Sequence, residues 1–303
     1  MSCTEAIYGA PDPALAPAPP SALQVSPLAP GAVRIEDVAS GSVQRFVVAA
    51  PAGAIERRYV LAQALRVLAA GGELIALAPK TLGGLRIAGE LRGFGCAPVE
   101  QARRHQRLCR CERPEAVTAI DEAIDAGGAQ LSPRLGLWSQ PGVFSWDRLD
   151  PGSEALIASE LDFTGRVVDL GCGAGVLARS LLERSSVTEA ILVDLDRRAL
   201  DAARRNIDDP RARFVQADIA NWPDAPSGVD AVVMNPPFHQ AGRAQIALGQ
   251  AFVTTAARML RKGGRLRLVA NTNLPYEACL SEAFSRTAEL SRQGGFKILE
   301  AVK

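Results

Sequence analysis

No apolar run in this 303-residue chain approaches the ~20 residues that cross a bilayer, so no membrane-spanning helix is expected. The opening stretch, MSCTEAIYGAPDPALAPAPP, lacks the basic segment and apolar core of a secretory signal, and a cytoplasmic protein is expected. Six cysteines (Cys3, Cys96, Cys109, Cys111, Cys172, Cys279) lack a repeating framework, the pattern of thiols kept reduced. Cys109 and Cys111, near His105, lack the paired spacing of a zinc site, so no metal is expected. Net charge is nearly missing too: +1 at neutral pH argues neither for nor against a polyanionic partner. With 48% hydrophobic and 22% charged residues, the balance is that of a folded protein rather than a disordered one. The length suits two domains of ordinary size.

Charge is concentrated locally. QARRHQRLCRCER (101–113) carries five arginines and one acid, and RMLRKGGRLR (258–267) has five basic residues and no acid. Such runs are usually solvated faces, so they point to nucleic acid only if another feature does. The first thirty residues, rich in Pro and Ala and without periodicity, are expected to form a mobile or loosely docked arm. RFVVAA (45–50) reads as a strand. ERRYVLAQALRVLAA (56–70) has apolar residues at helical spacing and stops at Gly71-Gly72, and ELIALA (73–78) follows as a strand.

The second half repeats this alternation at greater length. Strands are expected at 166–170, 190–196, 213–218, 229–235 and 265–271, with helices at 176–184, 197–207 and 249–262. Alternating strands and helices argue for an α/β fold, a parallel sheet covered on both faces. RVLAAGGELIALA (66–78) aligns without a gap on RMLRKGGRLRLVA (258–270), matching at Arg66, Leu68, Gly71, Gly72, Leu74 and Ala78. We read this as a duplication in which VVAAP (47–51) stands where the second copy has VVMNPPF. The first copy has lost the Asn and Phe and has no glycine-rich loop upstream, so it is expected to be catalytically empty.

Two segments of the second half carry chemistry. VVDLGCGAGVLARSLL (167–182) places Gly171, Gly173 and Gly175 between a strand and a helix, where glycine permits a tight turn and close approach of a ligand. Alone this is weak, since a glycine loop can also serve to pack a helix on a sheet. Asp169 ends the strand before the loop. Asp194 ends the next strand, where a carboxylate can accept both ribose hydroxyls, and Asp218 follows the third, where an acid can hold an adenine amino group. The loop reads G-C-G-A-G rather than G-x-G-x-x-G. An acid before it would repel a pyrophosphate but suits the ammonium of a methionine moiety, which favours S-adenosylmethionine over a nicotinamide dinucleotide.

The second segment is Asn235-Pro236-Pro237-Phe238, at the end of an apolar strand. Asn-Pro is an ordinary turn starter, and a rigid turn is its plain reading. The chemical reading is that the Asn235 side-chain oxygen and the Pro236 carbonyl accept the two N–H bonds of a planar exocyclic amine. That would aim its lone pair at a methyl donor and stabilise the positive charge that develops, while Phe238 stacks on the base.

With these segments in place, the sequence resembles class I S-adenosylmethionine-dependent methyltransferases that act on amino groups. More narrowly, it is similar to the "methyltransferase small" family of ribosomal RNA guanine-N2 methyltransferases, which pair a degenerate N-terminal methyltransferase-like domain with an active C-terminal one. PGVFSWDRLDPGSEALI (141–157), NPPFHQ with its following helix, and the tail VANTNLPYEACL…GGFKILEA (269–301) carry the resemblance, which covers residues 131–303. After the Pro/Ala-rich arm over 1–30, it implies a degenerate methyltransferase-like α/β domain over 31–130 and a Rossmann-like catalytic domain over 131–303. It further implies that Asp169, Gly171, Gly173, Gly175, Asp194 and Asp218 bind S-adenosylmethionine and that Asn235, Pro236 and Phe238 receive the amine. The implied substrate is ribosomal RNA or a ribosomal subunit, small-subunit (16S) RNA first and the large subunit as the neighbouring branch. The first domain departs from the pattern in being too short for a full glycine-loop half.

The rival readings are a protein glutamine N5-methyltransferase acting on a translation factor, a DNA adenine-N6 enzyme, and a noncatalytic RNA-binding factor. The first usually resembles NPPY with a helical N-terminal domain, the second lacks a target-recognition domain here, and the intact loop and NPPF argue against the third. Cys172 is expected to be a small filler, Trp138 and Trp146 packing residues, and His239 a loop residue. The segment from Phe144 to Ser153 reads equally as a lid or a connector. Nothing in the sequence sets an oligomeric state.

Overall fold

The computed structural model describes residues 4–237 and 243–303, without the side chains of residues 243–246. The chain divides into two units, Met1–Ala129 with Gln140–Gly142, and Gln130–Ser139 with Val143–Lys303.

In the first unit, β1 (Glu5–Tyr8), β2 (Leu23–Gln24), β3 (Val43–Ala49) and β4 (Leu68–Pro79) run parallel. The antiparallel hairpin of β5 (Val99–Arg103) and β6 (Gln106–Glu112) completes a sheet of order β2-β1-β3-β4-β6-β5. Its helices are α1 (Ala54–Val67), α2 (Ile87–Gly93) and α3 (Ile120–Gly127). The strands read as continuous apolar runs because both faces are covered. Phe46, Val48 and Leu74 pack with Leu61 and Leu65 of α1, while Val47, Ile75 and Leu77 pack with Leu15 and Ala16. The expected arm over residues 1–30 is thereby corrected. Residues 5–8 and 23–24 are strands of the sheet, and Leu15 and Ala16 cover one of its faces. Strands of two and four residues carry too little periodicity to be read from sequence.

The second unit begins with the small ribbon of β7 (Gln130–Leu131) and β8 (Trp138–Ser139), then α4 (Pro151–Ala158). There follow β9 (Gly165–Leu170), α5 (Val176–Leu182), β10 (Val187–Asp194), α6 (Arg197–Asn206), β11 (Ala212–Gln216), β12 (Val229–Met234), α7 (Arg243–Met259) and β13 (Leu260–Asn271). The unit ends with α8 (Tyr276–Ala283), β14 (Arg286–Gln293) and β15 (Phe296–Val302). The sheet order is β11-β10-β9-β12-β13-β15-β14, parallel up to β13 and antiparallel beyond. The chain moves outward from β9 to β10 and β11, then returns to place β12 on the other side of β9. That reversal makes the carboxyl ends of β9, β10 and β12 the crevice where an open α/β sheet takes its ligand.

The two sheets, both Rossmann-like, match strand for strand apart from β11. Register sharpens the match. Val43 pairs with Leu68 and then, after a shift, Arg45 with Glu73; Val229 pairs with Leu260 and, after the same shift, Ala231 with Arg265. Gly71 and Gly263 make the corresponding turns at φ 74° and 75°. A Cβ at Gly72 would meet the Ala69 and Gln44 carbonyl oxygens at 2.9 and 3.0 Å, and one at Gly264 the Arg261 and Asp230 oxygens at 2.9 and 3.2 Å. The aligned glycine pairs thus perform the same steric task twice. The helices preceding them stop earlier than their apolar spacing predicts, at Val67 and Met259, because residues from Leu68 and Leu260 onward are already paired in the sheets.

Candidate active site

The loop after β9 is built from three glycines in the left-handed region, Gly171, Gly173 and Gly175 at φ 77°, 52° and 85°. They do different work. Gly171 and Gly173 line a cavity of 300 Å³, and among the described residues a Cβ at Gly173 would meet no heavy atom within 4 Å, so the bare backbone leaves space there. At Gly175 a Cβ would meet Ile207 Cδ1 at 2.9 Å and Ala203 Cβ at 3.2 Å, so glycine is needed there to seat α6 and its following turn, and Gly175 does not line the cavity. Cys172 is buried and its thiol is pushed well up by burial, as suits a filler.

The loop is tied down by carboxylates and carbonyls. Gly171 N–H and Cys172 N–H donate to the Val193 carbonyl at 2.8 and 3.0 Å. Gly173 N–H donates to Asp194 Oδ2 and Asp196 N–H to Asp194 Oδ1, each at 2.9 Å. Asp194 lines the cavity, and burial pushes its carboxyl up to about 6 against the pull of those N–H bonds. Asp169 is only 1% exposed and is not in the cavity wall. Its Oδ2 accepts from Ala178 N–H at 3.1 Å at the start of α5, while Oδ1 is buried without a hydrogen-bond partner among the described residues. Burial, reinforced by the Asp194 charge, pushes Asp169 up to about 7. Asp218 reaches the cavity from the end of β11 and caps the turn after it, accepting from Ala220 N–H at 3.1 Å and Asn221 Nδ2 at 3.0 Å.

Asn235 and Pro236 form the wall contributed by the end of β12, with Asn235 half-buried and Pro236 buried. Both N–H bonds of Asn235 Nδ2 are donated, to Asp150 Oδ2 at 2.7 Å and to Ser153 Oγ at 2.8 Å. Phe238 and His239 lie outside the described residues. The apolar wall consists of Phe144, Leu195, Ile219, Leu248 and Phe252, with Pro237 at its edge. The structure therefore brings Gly171, Gly173, Asp194, Asp218, Asn235 and Pro236 to one cavity, and sets Asp169 beneath the loop and Gly175 behind it.

Phe144, Asp150 and Ser153 fall in the segment read equally as a lid or a connector, without individual roles, while Leu195, Ile219, Leu248 and Phe252 carried no reading as site residues. Phe252 sits in an apolar helix stripe that looks like core in any sequence. Asp150-Pro151 carried a readable helix-start signal, an N-cap followed by Pro at the first helical position, but nothing in the spacing tied it to a residue 85 positions later.

A family model described as the methyltransferase small domain matches residues 134–300. The chain is 32% identical over 255 residues to a ribosomal RNA small subunit methyltransferase C of Yersinia pestis (strain Pestoides F), covering 81% of this chain and 71% of that protein. It is 32% identical over 253 residues to the protein of the same description from Stutzerimonas stutzeri (strain A1501), covering 80% and 74%. Among solved structures, a T. thermophilus 16S rRNA N2 methyltransferase in complex with AdoMet and guanosine matches with a TM-score of 0.75 at 27% identity, covering 90% of this chain and 76% of that one.

Proposed function

The chain belongs to the methyltransferase small domain family, and from that membership we propose that it transfers a methyl group from S-adenosylmethionine to the exocyclic N2 amine of a guanine in small-subunit ribosomal RNA, in the cytoplasm. The observation that carries the site assignment is the sharing of one 300 Å³ cavity by Gly171, Gly173, Asp194 and Asp218 on one side and Asn235 and Pro236 on the other. A donor and an acceptor of the methyl group must meet, and these are the two walls at which they would do so.

Three features of the site support its fit to S-adenosylmethionine. The space beside Gly173 accepts a ligand against bare backbone. Asp194 offers a carboxylate to two neighbouring hydroxyls, with Asp218 one strand further along for an adenine amine. Asp169 Oδ1, a buried carboxyl oxygen without a hydrogen-bond partner among the described residues, would be stabilised in its charged form by a cation nearby. S-adenosylmethionine, when bound, supplies an electrophilic methyl group. Asn235 Oδ1 and the Pro236 carbonyl accept the two N–H bonds of the guanine amine and orient its lone pair. As positive charge develops on that nitrogen, both oxygens stabilise it without having to reorganise. Pro236 contributes rigidity, since its ring fixes φ. Phe238 keeps its sequence-based role of stacking on the base. No strong general base is needed, because the nitrogen becomes acidic once methylated. We assign the reaction to the catalytic domain expected over 131–303 and a noncatalytic role to the domain expected over 31–130.

The test is transfer of labelled methyl from S-adenosylmethionine to small subunits, large subunits, free ribosomal RNA and soluble protein, all from cells lacking this protein, followed by nucleoside analysis. N2-methylguanosine from small-subunit RNA is the expected product. Label confined to protein would replace the guanine by a glutamine side chain.

A further inference from the structure

The segment PGVFSWDRLDPGSEALI has no task in the reaction as described so far, yet its Asp150 and Ser153 touch the residue on which that reaction turns. Asn235 has one acceptor and two donor hydrogens on its amide, and the two ends differ little in shape. Only the oxygen end can receive an amine N–H; the nitrogen end would meet it donor to donor. Something must therefore hold the amide one way round. An ionised carboxylate only accepts hydrogen bonds, so the end of Asn235 that lies 2.7 Å from Asp150 Oδ2 is the nitrogen. Its second hydrogen is taken by Ser153 Oγ at 2.8 Å. With both hydrogens committed, Oδ1 is what the side chain presents to the cavity.

Resting on the function proposed above, we propose that Asp150 and Ser153 are positioning residues that fix the Asn235 amide with its oxygen toward the substrate amine, and so make this wall of the site accept hydrogen bonds rather than donate them. The local chain is shaped for it. Asp150 is the N-cap of α4, and the same Oδ2 accepts from Ser153 N–H at 2.8 Å, so the helix start and Asn235 share one carboxylate oxygen. Pro151 follows at the first helical position, where its fixed φ is already helical. A Cβ at Gly152 would meet Asp150 Oδ2 at 2.9 Å and the Phe296 ring at 3.1 Å, so glycine at 152 leaves that oxygen its room. D-P-G-S thus reads as one device in which each residue serves the placement of a single acceptor.

The experiment pairs substitutions with a direct view of the amide. Asn235→Asp sets a carboxylate against Asp150 and is expected to lower kcat at least 100-fold. Asp150→Asn is expected to lower kcat about tenfold or more, because the oxygen that caps Ser153 N–H is the one that receives Asn235 Nδ2, and an amide at 150 cannot serve both from that place. Ser153→Ala, which keeps the cap, is expected to lower kcat about tenfold with affinity for S-adenosylhomocysteine and thermal midpoint unchanged, a pattern that damage to the helix would not give. Independently of activity, the two ¹⁵N-bound side-chain protons of Asn235, assigned by their absence in Asn235→Ala, should be protected from exchange in the full chain and lose protection in Ser153→Ala. Turnover unchanged in both Asp150→Asn and Ser153→Ala, or unprotected amide protons in the unaltered protein, would overturn the proposal. An unaltered protein that methylates no RNA but keeps protected amide protons would instead strike the function proposed above and leave the amide geometry standing.

Discussion

Where the second unit has Asp194, the first has Ser26; where the second has Asp169, the first has Ile7; and Ala49 stands at the place of Asn235. These equivalences follow from register, since Ile7 pairs with Gln24 and Val47 in the first sheet as Asp169 pairs with Leu192 and Val233 in the second. Gly9 takes the place of Gly171 with nearly the same φ, 76° against 77°. Register also moves the sequence alignment by one residue: Pro51 matches Pro237, not Pro236. Ser26 Oγ accepts from Leu28 N–H at 3.3 Å, two residues on, as Asp194 Oδ1 accepts from Asp196 N–H at 2.9 Å. Bracing the turn after this strand thus requires any short acceptor, and only the ligand requires a carboxylate. Among the described residues β11 has no counterpart in the first sheet, so none of them stands at the place of Asp218. The comparison separates residues that hold the fold, the paired glycines and apolar strands present in both copies, from the few that make one copy a candidate enzyme.

Converting the second unit to the first at single positions tests that separation. Asn235→Ala, the residue of Ala49, removes an oxygen aimed at developing charge and is expected to lower kcat by ~10²- to 10³-fold with S-adenosylmethionine affinity retained; unchanged turnover would show that the NPPF turn is only a turn. Asp194→Ser, the residue of Ser26, keeps a turn acceptor but removes the charge. Hydrogen bonds to charged groups contribute about 1.5–3 kcal/mol, so titration calorimetry should find ~10- to 100-fold weaker cofactor binding with the fold intact. The same titration of the unaltered chain should give one equivalent of cofactor, and a second would break the comparison outright.

How much of this was legible beforehand depended on the range of the interactions. β3, β4 and the parallel strands of the second unit could be read because burial on both faces leaves continuous apolar runs such as ILVD and AVVM. β1 and β2 could not, because they are held by neighbours rather than by pattern, and β14, exposed along its length, offers no alternation to detect. At the site, Asp194, Asp218, Gly171 and Gly173 followed from their positions at strand ends. Asp169 and Gly175 lie outside the cavity wall for a shared reason: strand-end position predicts nearness to the crevice, but whether a side chain faces the cavity or a helix is decided by packing. Asp150 was hidden for a different reason, since its contact with Asn235 joins elements that no local spacing relates.

Protonation gives a smaller effect that exists only in the unit that kept its acids. The folded carboxyls of Asp169 and Asp194, raised to about 7 and about 6 by burial, bind protons that an unfolded chain has lost above pH ~4. Their contribution to stability is therefore complete below pH ~4 and is lost as pH rises through 6 and 7. Cofactor binding has the opposite sign, because the hydroxyls of a ribose donate to ionised Asp194. Affinity should rise with pH through about 6, by ~tenfold per unit below it, and calorimetry at pH 6 in two buffers of different ionisation enthalpy should record proton release. An affinity flat from pH 5 to 7.5 would remove Asp194 from the ribose site.

The smallest expected effect is the most direct test of the shared architecture. Gly71 and Gly263 adopt the left-handed turn at φ 74° and 75°; among the described residues a Cβ at Gly71 meets no heavy atom within 4 Å, and one at Gly263 meets only Arg261 Nη1, in ordinary contact at 3.7 Å. Gly71→Ala and Gly263→Ala therefore differ from the parent only in backbone strain, about 1–2 kcal/mol for an L residue in that region. If the two turns are one structural element used twice, each substitution should destabilise its own unit by the same amount. Hydrogen exchange of the strand amides flanking each turn, β3 and β4 for one and β12 and β13 for the other, reads the two units separately. Equal losses of protection would mean that the sheet tolerates only one solution at this turn, whatever chemistry its crevice carries. A loss confined to Gly263→Ala would mean that the first copy has drifted in its backbone as well as in its side chains, and that the matched φ values conceal different restraints.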